Sequence, residues 1–256
     1  MLELEIHQIA VLNDNYVYLV HDCETGETGV VDPAVSNPVM EAIKLRGWTL
    51  KYIINTHHHA DHTGGNLEIK SITGCTVVGP YADRDRIPGI DIALGEGDTF
   101  SLGHSTAKVF DVPGHTHGHI AYWFADSDTL FCGDTLFALG CGRVFEGTME
   151  EMYLSVSKLK KLPDTTKVYC AHEYTQANGH FALSIEPQNT ALLKRMKQIN
   201  KQRQNNLPTV PSLLSEEIET NPFLRLDCID IQKKLDMVGQ SSMEVFSELR
   251  RLKDNF

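Results

Sequence analysis

One run of seven residues constrains this chain more than any other feature of its sequence. The run Thr56-His57-His58-His59-Ala60-Asp61-His62 carries four potential metal ligands within six residues: His57, His59, Asp61 and His62. It follows an apolar, strand-like segment, Tyr52-Ile53-Ile54, and precedes Gly64-Gly65, which lets the backbone turn before a helix. Imidazole and carboxylate groups suit divalent zinc, iron or manganese. The pattern therefore predicts a metal site on a loop behind a buried strand.

Alternate residues of such a loop point to different sides, so one loop can serve two ions. We expect His57 and His59 to share one ion, and Asp61 and His62 to share the other. Three further candidates, each placed after an apolar run that ends in small residues, are His115, Asp134 and His172. Polar side chains at strand ends lie where sheet edges meet loops, which is where binding sites usually form.

The order and spacing of these motifs resemble the metallo-β-lactamase superfamily. The motifs are T-H-x-H-x-D-H from 56, G-H-T from 114, G-D-T from 133 and A-H-E-Y from 171. The resemblance implies an α/β fold, an αββα sandwich with the metal centre at one edge of its two sheets. It also implies two divalent ions: one held by His57, His59 and His115, the other by Asp61, His62 and His172, with Asp134 bridging. Zinc is preferred, and iron and manganese remain open because they accept the same ligands.

Within that superfamily the chain is most similar to the glyoxalase II family, the hydroxyacylglutathione hydrolases, and the similarity extends over its whole length. The segments that carry it are Gly140-Cys141-Gly142-Arg143, Phe145-Glu146-Gly147-Thr148, His172-Glu173-Tyr174-Thr175 and Arg250-Arg251-Leu252-Lys253-Asp254. In the family such positions contact the glutathione part of a thioester, which implies substrate contacts from Arg143, Tyr174, Arg250 and Lys253. Phe145 stands where many relatives carry tyrosine, so ring packing or backbone contacts would replace a hydroxyl contact.

The resemblance implies that S-D-lactoylglutathione and water are converted to D-lactate and glutathione, the second step of methylglyoxal detoxification. Metal coordination lowers the pKa of water from about 16 toward about 7, so a metal-bound hydroxide would attack the thioester carbonyl. The thiolate, with a thiol pKa near about 8.5, leaves readily. Asp134 and Asp61 are the catalytic carboxylates. Asp61 is first a ligand, although it could also orient the hydroxide or accept its proton.

The chain changes character near residue 175. Its net charge is −12 over residues 1–174 and +1 over residues 175–256. The first part shows short strand-like runs and two helical segments, Pro38–Arg46 and Met149–Lys161, the second with Thr148 as N-cap and Glu151 three positions later. Helical spacing then predicts helices over 189–204, 227–237 and 242–252. We predict a catalytic domain over 1–174 and a small, mainly helical, glutathione-binding domain over 175–256.

Other histidines and carboxylates are predicted to support the ligands rather than to bind metal. His58 should point away from its neighbours, and His119 follows the G-H-T turn closely enough to hold a ligand in place. Asp32 follows the strand-like run Val30-Val31 and could accept a hydrogen bond from a ligating imidazole. The six cysteines are scattered without a C-x-x-C pair, which predicts packed thiols rather than disulfides or a nucleophile.

Two alternatives stay open. One is a mononuclear iron dioxygenase for glutathione persulfide, which needs only two histidines and one aspartate; the other is a metal-binding protein with a vestigial site. The complete set Asp61, His62 and His172 favours the hydrolase. The net charge of −11 disfavours nucleic acid as a partner. Because no leader or membrane-spanning segment is evident, we expect a cytoplasmic monomer that binds a small-molecule thioester and no membrane.

Overall fold

The computed structural model describes residues 4–256 and places them in two compact units. The first unit extends up to Asp111 and includes Thr116–Gly133, and the second consists of Val112–His115 and Asp134–Phe256. This division reflects contacts between residues. The predicted domain boundary at residue 174 rests on sequence character, and it stays a prediction.

A six-stranded sheet forms one layer of the first unit. Across the sheet its strands follow chain order: β1 (Leu4–Val11), β2 (Asn15–Asp22), β3 (Glu27–Val31), β4 (Thr49–Ile54), β5 (Thr76–Pro80) and β6 (Ile92–Leu94). β1, β2 and β3 pair antiparallel, and β3 to β6 pair parallel. Parallel neighbours need a crossover. The helices on these connections are α1 (Asn37–Arg46), α2 (Ala60–Thr63) and α3 (Asn66–Thr73).

The core of this layer explains where the loop that carries His57 starts. Apolar side chains from the middle of the sheet, such as Leu19 and Ile53, pack with Val39 of α1 and Ile69 of α3. Val31 at the end of β3 lies opposite Ile54 at the end of β4. The segments that follow β3 and β4 therefore leave the sheet side by side. They do so at the carboxyl ends of parallel strands, where binding sites commonly form.

Four antiparallel strands complete the first unit. They are β7 (Thr99–Leu102), β8 (Ser105–Asp111), β9 (Ile120–Phe124) and β10 (Thr129–Gly133), and they lie in this order. Aromatic rings join this layer to the first sheet. Tyr52 meets Phe100 edge-on at 5.1 Å between ring centroids, and Tyr18 lies 5.5 Å from Phe131.

The second unit is mainly helical. Its elements are β11 (Leu136–Phe137), β12 (Gly140–Cys141), α4 (Met149–Leu159), β13 (Lys167–Cys170), α5 (Thr175–Ile185), α6 (Thr190–Gln204), β14 (Ser212–Leu213), α7 (Leu214–Thr220), α8 (Ile229–Lys234) and α9 (Ser242–Asp254). The predicted capping box at Thr148 and Glu151 opens α4, and Asn189 caps α6. The helix predicted over 227–237 is shorter than expected, and α5 and α7 were not predicted.

A buried polar network fixes the β11–β12 hairpin of the second unit. Glu217 is fully buried, pairs with Arg195, and accepts a hydrogen bond from the Leu139 N–H at 2.8 Å. The Asn221 amide donates to the carbonyls of Phe137 at 3.2 Å and Gly140 at 3.0 Å. Since a buried charge pair is costly to break, this network holds the hairpin rigidly between Asp134 and Arg143.

The six cysteines are all free thiols, as predicted, but the prediction that they are packed is wrong for Cys23, which is exposed. Burial raises the pKa of the Cys170 thiol to about 12 and that of Cys141 to about 11, so neither supplies a thiolate at neutral pH. Within residues 4–256, no helix combines the length and apolar character that a membrane crossing requires.

Candidate metal centre

The first unit brings the four predicted ligands of the His57 loop together in two pairs. His57 Nε2 lies 3.1 Å from His59 Nδ1, and Asp61 Oδ2 lies 3.6 Å from His62 Nε2. Two donors that bind one tetrahedral ion at about 2.0–2.1 Å are roughly 3.3–3.4 Å apart. Each pair thus has the separation of two ligands on a common ion, and the pairs are the two that we expected from the sequence.

The second unit contains three predicted ligands, and two of them, His115 and His172, lie next to the third, Asp134. Asp134 Oδ2 lies 3.3 Å from His115 Nε2, and Asp134 Oδ1 lies 3.4 Å from His172 Nε2. Both separations again match two donors on one ion. Because each carboxylate oxygen faces a different imidazole, Asp134 is suited to serve two ions at once.

Asp32 fixes two of the predicted ligand imidazoles in the first unit. Thr56 donates to Asp32 through its N–H (2.8 Å to Oδ1) and its hydroxyl (2.6 Å to Oδ2), while His62 Nδ1 lies 3.0 Å from Asp32 Oδ2. Because the Thr56 hydroxyl donates its hydrogen to Asp32, it accepts a hydrogen bond from His57 Nδ1, which lies 3.0 Å away. Both imidazoles therefore carry their proton on Nδ1 and present the Nε2 lone pair to an ion. This agrees with the supporting role predicted for Asp32.

Two further histidines of the first unit, His58 and His119, lie beside the predicted ligands. His58 Nδ1 lies 3.0 Å from Asp83 Oδ2, which directs this ring to Asp83. His119 stacks on His57 with ring centroids 4.6 Å apart. Gly133 is needed beneath them, because a Cβ there would lie 2.4 Å from Thr56 Oγ1 and 2.8 Å from His119 Nε2. Its φ of +47° is also one that favours glycine.

Residues predicted to contact glutathione lie beside the predicted ligands of the second unit. His115 Nδ1 lies 2.8 Å from the Arg143 carbonyl, which accepts its proton and leaves Nε2 for an ion. The Phe145 ring meets His115 at an angle with centroids 5.2 Å apart. Tyr174 stacks on His172 at 4.7 Å and an interplanar angle of 4°. Predicted ligands and predicted substrate contacts are therefore neighbours in the second unit.

Three cations, Arg143, Arg250 and Lys253, form what we call the basic cluster of the second unit. Asp254 Oδ1 pairs with Arg143 Nε at 3.2 Å and with an Arg250 Nη atom at 2.9 Å, and Arg250 also donates to the Cys141 carbonyl at 2.8 Å. Lys253 Nζ lies 5.5 Å from the ring centroids of both Phe181 and Phe256. With one carboxylate for three cations, the cluster is net positive and suits an anion.

The excess positive charge of the basic cluster affects the pKa of Lys253. Burial, and then the charges of Arg250 and Arg143, lower the pKa of Lys253 below the ordinary value of 10.5. Arg250 is only 4% exposed, and its Nε has no hydrogen-bond partner among residues 4–256. A buried guanidinium donor without a partner is costly, so an incoming oxygen that reached it would be bound strongly.

Sequence reasoning did not find all of the residues that organise these groups. Asp254 belongs to the C-terminal segment that resembles the family, but the sequence does not indicate that it pairs with both Arg143 and Arg250. Thr56 was part of the motif without a stated role. Asn15, which donates to Asp61, lies in an ordinary turn-like run and gave no signal.

Two family models match the chain in succession. The model described as the metallo-β-lactamase superfamily matches residues 11–172. The model described as the hydroxyacylglutathione hydrolase C-terminus matches residues 173–256. Among curated proteins, the chain is 58% identical to the hydroxyacylglutathione hydrolase of Methylococcus capsulatus over 253 residues, with 99% of each chain covered.

Solved structures resemble the fold at lower identity. ETHE1 from Myxococcus xanthus has a TM-score of 0.68 and 24% identity, with 98% of this chain and 90% of that chain covered. TTHA1623 in a di-iron-bound form has a TM-score of 0.60 and 22% identity, with 86% of this chain and 100% of that chain covered. At these identities the two likenesses show the fold alone, and they confirm the predicted α/β class.

Proposed function

The chain belongs to the hydroxyacylglutathione hydrolases of the metallo-β-lactamase superfamily, and from this we propose that it converts S-D-lactoylglutathione and water to D-lactate and glutathione. Overall, water forms a new bond to the thioester carbonyl carbon and the carbon–sulfur bond breaks. The glutathione thiolate needs little protonation to leave, since its thiol pKa is near about 8.5. In this role the enzyme carries out the second step of methylglyoxal detoxification as a cytoplasmic monomer.

We further propose that seven residues hold two divalent ions. His57, His59 and His115 bind the first, Asp61, His62 and His172 bind the second, and Asp134 serves both. The observation that carries this is Asp134 itself, whose two oxygens each lie within 3.4 Å of a different ligand imidazole. Oxygen and nitrogen donors at these separations fit zinc, and they fit iron or manganese as well. TTHA1623, whose structure is that of a di-iron-bound form, is a different protein of the same fold.

When bound, the ions supply hydroxide at neutral pH and stabilise the negative charge that develops on the carbonyl oxygen. The chain's own residues prepare the site for them. Asp32 favours the Nδ1–H tautomer of His62 directly and that of His57 through the Thr56 hydroxyl, which leaves Nε2 as the atom that can bind an ion. The Arg143 carbonyl does the same for His115. The carboxylates of Asp61 and Asp134 add negative charge, which favours cations. The two acids therefore act through the ions they bind.

The basic cluster is proposed to bind the glutathione part of the substrate. Its net positive charge complements a carboxylate of the tripeptide, on a protein that is otherwise acidic. The rings of Phe145 and Tyr174, which lie on the ligands His115 and His172, would pack against the part of the substrate next to the thioester. Residues 175–256 are accordingly proposed as the glutathione-binding domain, with Arg143, Phe145 and Tyr174 contributed from before it.

The direct test is loss of thioester absorbance from S-D-lactoylglutathione with metal-loaded protein, together with elemental analysis of the bound metals. We expect turnover and two ions per chain, and we expect chelation to abolish turnover and zinc to restore it. Hydrolysis that survives complete metal removal would overturn the proposal. Oxygen uptake with glutathione persulfide, in the absence of hydrolysis, would support the dioxygenase alternative instead.

Phe145→Tyr is expected to lower KM for S-D-lactoylglutathione about 2- to 10-fold with little change in kcat, because one added hydrogen bond contributes about 0.5–1.5 kcal/mol. Phe145 is 59% exposed, so a hydroxyl has room to reach the substrate. Steady-state kinetics at fixed pH would measure the change. Phe145→Leu, which loses the ring, is the matched variant and should raise KM. If tyrosine left KM unchanged, position 145 would not contact glutathione in this enzyme.

A further inference from the structure

Asn15 makes an unusual pair of contacts with Asp61. The side-chain amide of Asn15 donates to Asp61 Oδ2 at 3.0 Å and lies 3.2 Å from the main-chain oxygen of the same residue. Asn15 is only 6% exposed. One buried amide therefore holds both the backbone and the carboxylate of a proposed ligand, although the two residues are 46 positions apart in the sequence.

The Asp61 oxygen that accepts from Asn15 is the same oxygen that is proposed to bind the second ion. Asp61 Oδ2 is also the atom that lies 3.6 Å from His62 Nε2. The Asp61 side chain is 40% exposed, so packing does little to restrict its rotamers. An aspartate without a fixed partner loses rotamer freedom when it binds an ion. The contact with Asn15 removes that cost in advance.

The backbone at Asn15 is itself held firmly. Asn15 is the first residue of β2 and lies opposite Val11, the last residue of β1. The three residues between them form the hairpin turn, in which Leu12 adopts a φ of +51°. A branched, non-glycine residue in this region is strained, and such strain is kept only where the surrounding structure fixes it. Asn15 is thus presented to Asp61 from a well-defined hairpin.

We infer that Asn15 is a positioning residue for the second ion: it holds Asp61 Oδ2 in the orientation in which that oxygen binds metal beside His62. The inference rests on the proposed function, in which Asp61 is a ligand. It also assigns Asp61 Oδ2 to metal binding rather than to proton transfer, because this oxygen accepts from Asn15 and lies beside His62 Nε2, the other proposed ligand atom.

The test compares metal binding in the wild-type chain and in Asn15→Leu, which keeps nearly the same volume and removes the donors. Apoprotein is titrated with zinc in competition with a chromophoric chelator, and bound zinc is counted after equilibration at fixed free zinc. We expect the first ion to bind as in the wild type and the second to bind about 10- to 100-fold more weakly. Asn13→Ala, at an exposed position of the same turn, should bind both ions normally.

Asn15→Ala serves as a second variant in case leucine disturbs folding, and circular dichroism with thermal unfolding checks both. A folded variant that binds both ions with wild-type affinity would overturn the inference. Equal weakening of both ions, together with lower stability, would also overturn it, because Asn15 would then be merely structural. The wild-type arm tests the proposed function separately: if the wild type binds two ions and hydrolyses the thioester, only the role of Asn15 is at stake.

Discussion

Asp134→Ala is expected to lower the rate of S-D-lactoylglutathione hydrolysis on the order of a thousand-fold and to reduce the metal content at the same time. The proposed role of Asp134 in both ions is the reason: its oxygens lie 3.3 Å from His115 Nε2 and 3.4 Å from His172 Nε2. Removing the carboxylate takes a donor and a negative charge from each ion. Thioester absorbance and elemental analysis on the same preparation would measure the two effects together.

Asp126→Ala provides the control, because Asp126 is an exposed aspartate between β9 and β10 and should tolerate the change. Asp134→Asn separates charge from shape, since the amide keeps the size of the side chain and loses its charge. We expect Asp134→Asn to retain some metal and little activity. If Asp134→Ala kept both ions and more than a small fraction of wild-type turnover, Asp134 would not be shared between the ions.

The candidate ligands could be predicted from the sequence because each stands in a short motif at the end of an apolar run. Residues that follow neighbouring parallel strands lie at the same edge of the sheet. Val31 and Ile54 end β3 and β4, so Asp32 and Thr56 lie together at that edge. Asp32 could be assigned a supporting role on the same grounds. The pairing of His57 with His59 followed from the alternation of side chains along an extended loop.

Contacts between distant segments were not predictable in the same way. Arg143 and Asp254 are 111 positions apart, and no local pattern indicates that they meet. The helix α5 escaped prediction because it contains Gly179 and Asn178, which are weak helix formers. Gly179 is required there by packing, since a Cβ would lie 2.0 Å from the Met196 sulfur of α6. Tertiary packing, rather than intrinsic propensity, therefore stabilises this helix.

Lys253→Met is expected to raise KM for S-D-lactoylglutathione by roughly 10- to 100-fold with a smaller effect on kcat, because a hydrogen bond to a charged group contributes about 1.5–3 kcal/mol. The methionine keeps an apolar chain beside the Phe181 and Phe256 rings and removes only the charge. Arg251→Met is the matched control: Arg251 is exposed on the same helix and pairs with Glu248. An unchanged KM in Lys253→Met would remove this residue from the substrate site.

Lys253 should cause kcat/KM to fall at alkaline pH, and Lys253→Arg should abolish this fall. Burial and the charges of Arg250 and Arg143 lower the pKa of Lys253 from 10.5, while Asp254 opposes the shift. Burial raises the pKa of the nearby Cys141 thiol to about 11, so this thiol stays mostly neutral at pH values below about 11. The Lys253 ammonium is present at pH values below its pKa and is lost as pH rises. Because this pKa is lowered, the alkaline decline of kcat/KM should begin at a pH lower than an ordinary lysine with a pKa of 10.5 would give.

Arginine stays charged throughout this range, so Lys253→Arg should keep a flat kcat/KM where the wild type declines. Titration of the substrate's own amino group and spontaneous thioester hydrolysis affect both enzymes equally, and the comparison therefore isolates Lys253. If Lys253→Arg declined in parallel with the wild type, the alkaline loss would come from another group. If its kcat/KM were low and flat at every pH, the site would need the compact ammonium rather than charge alone.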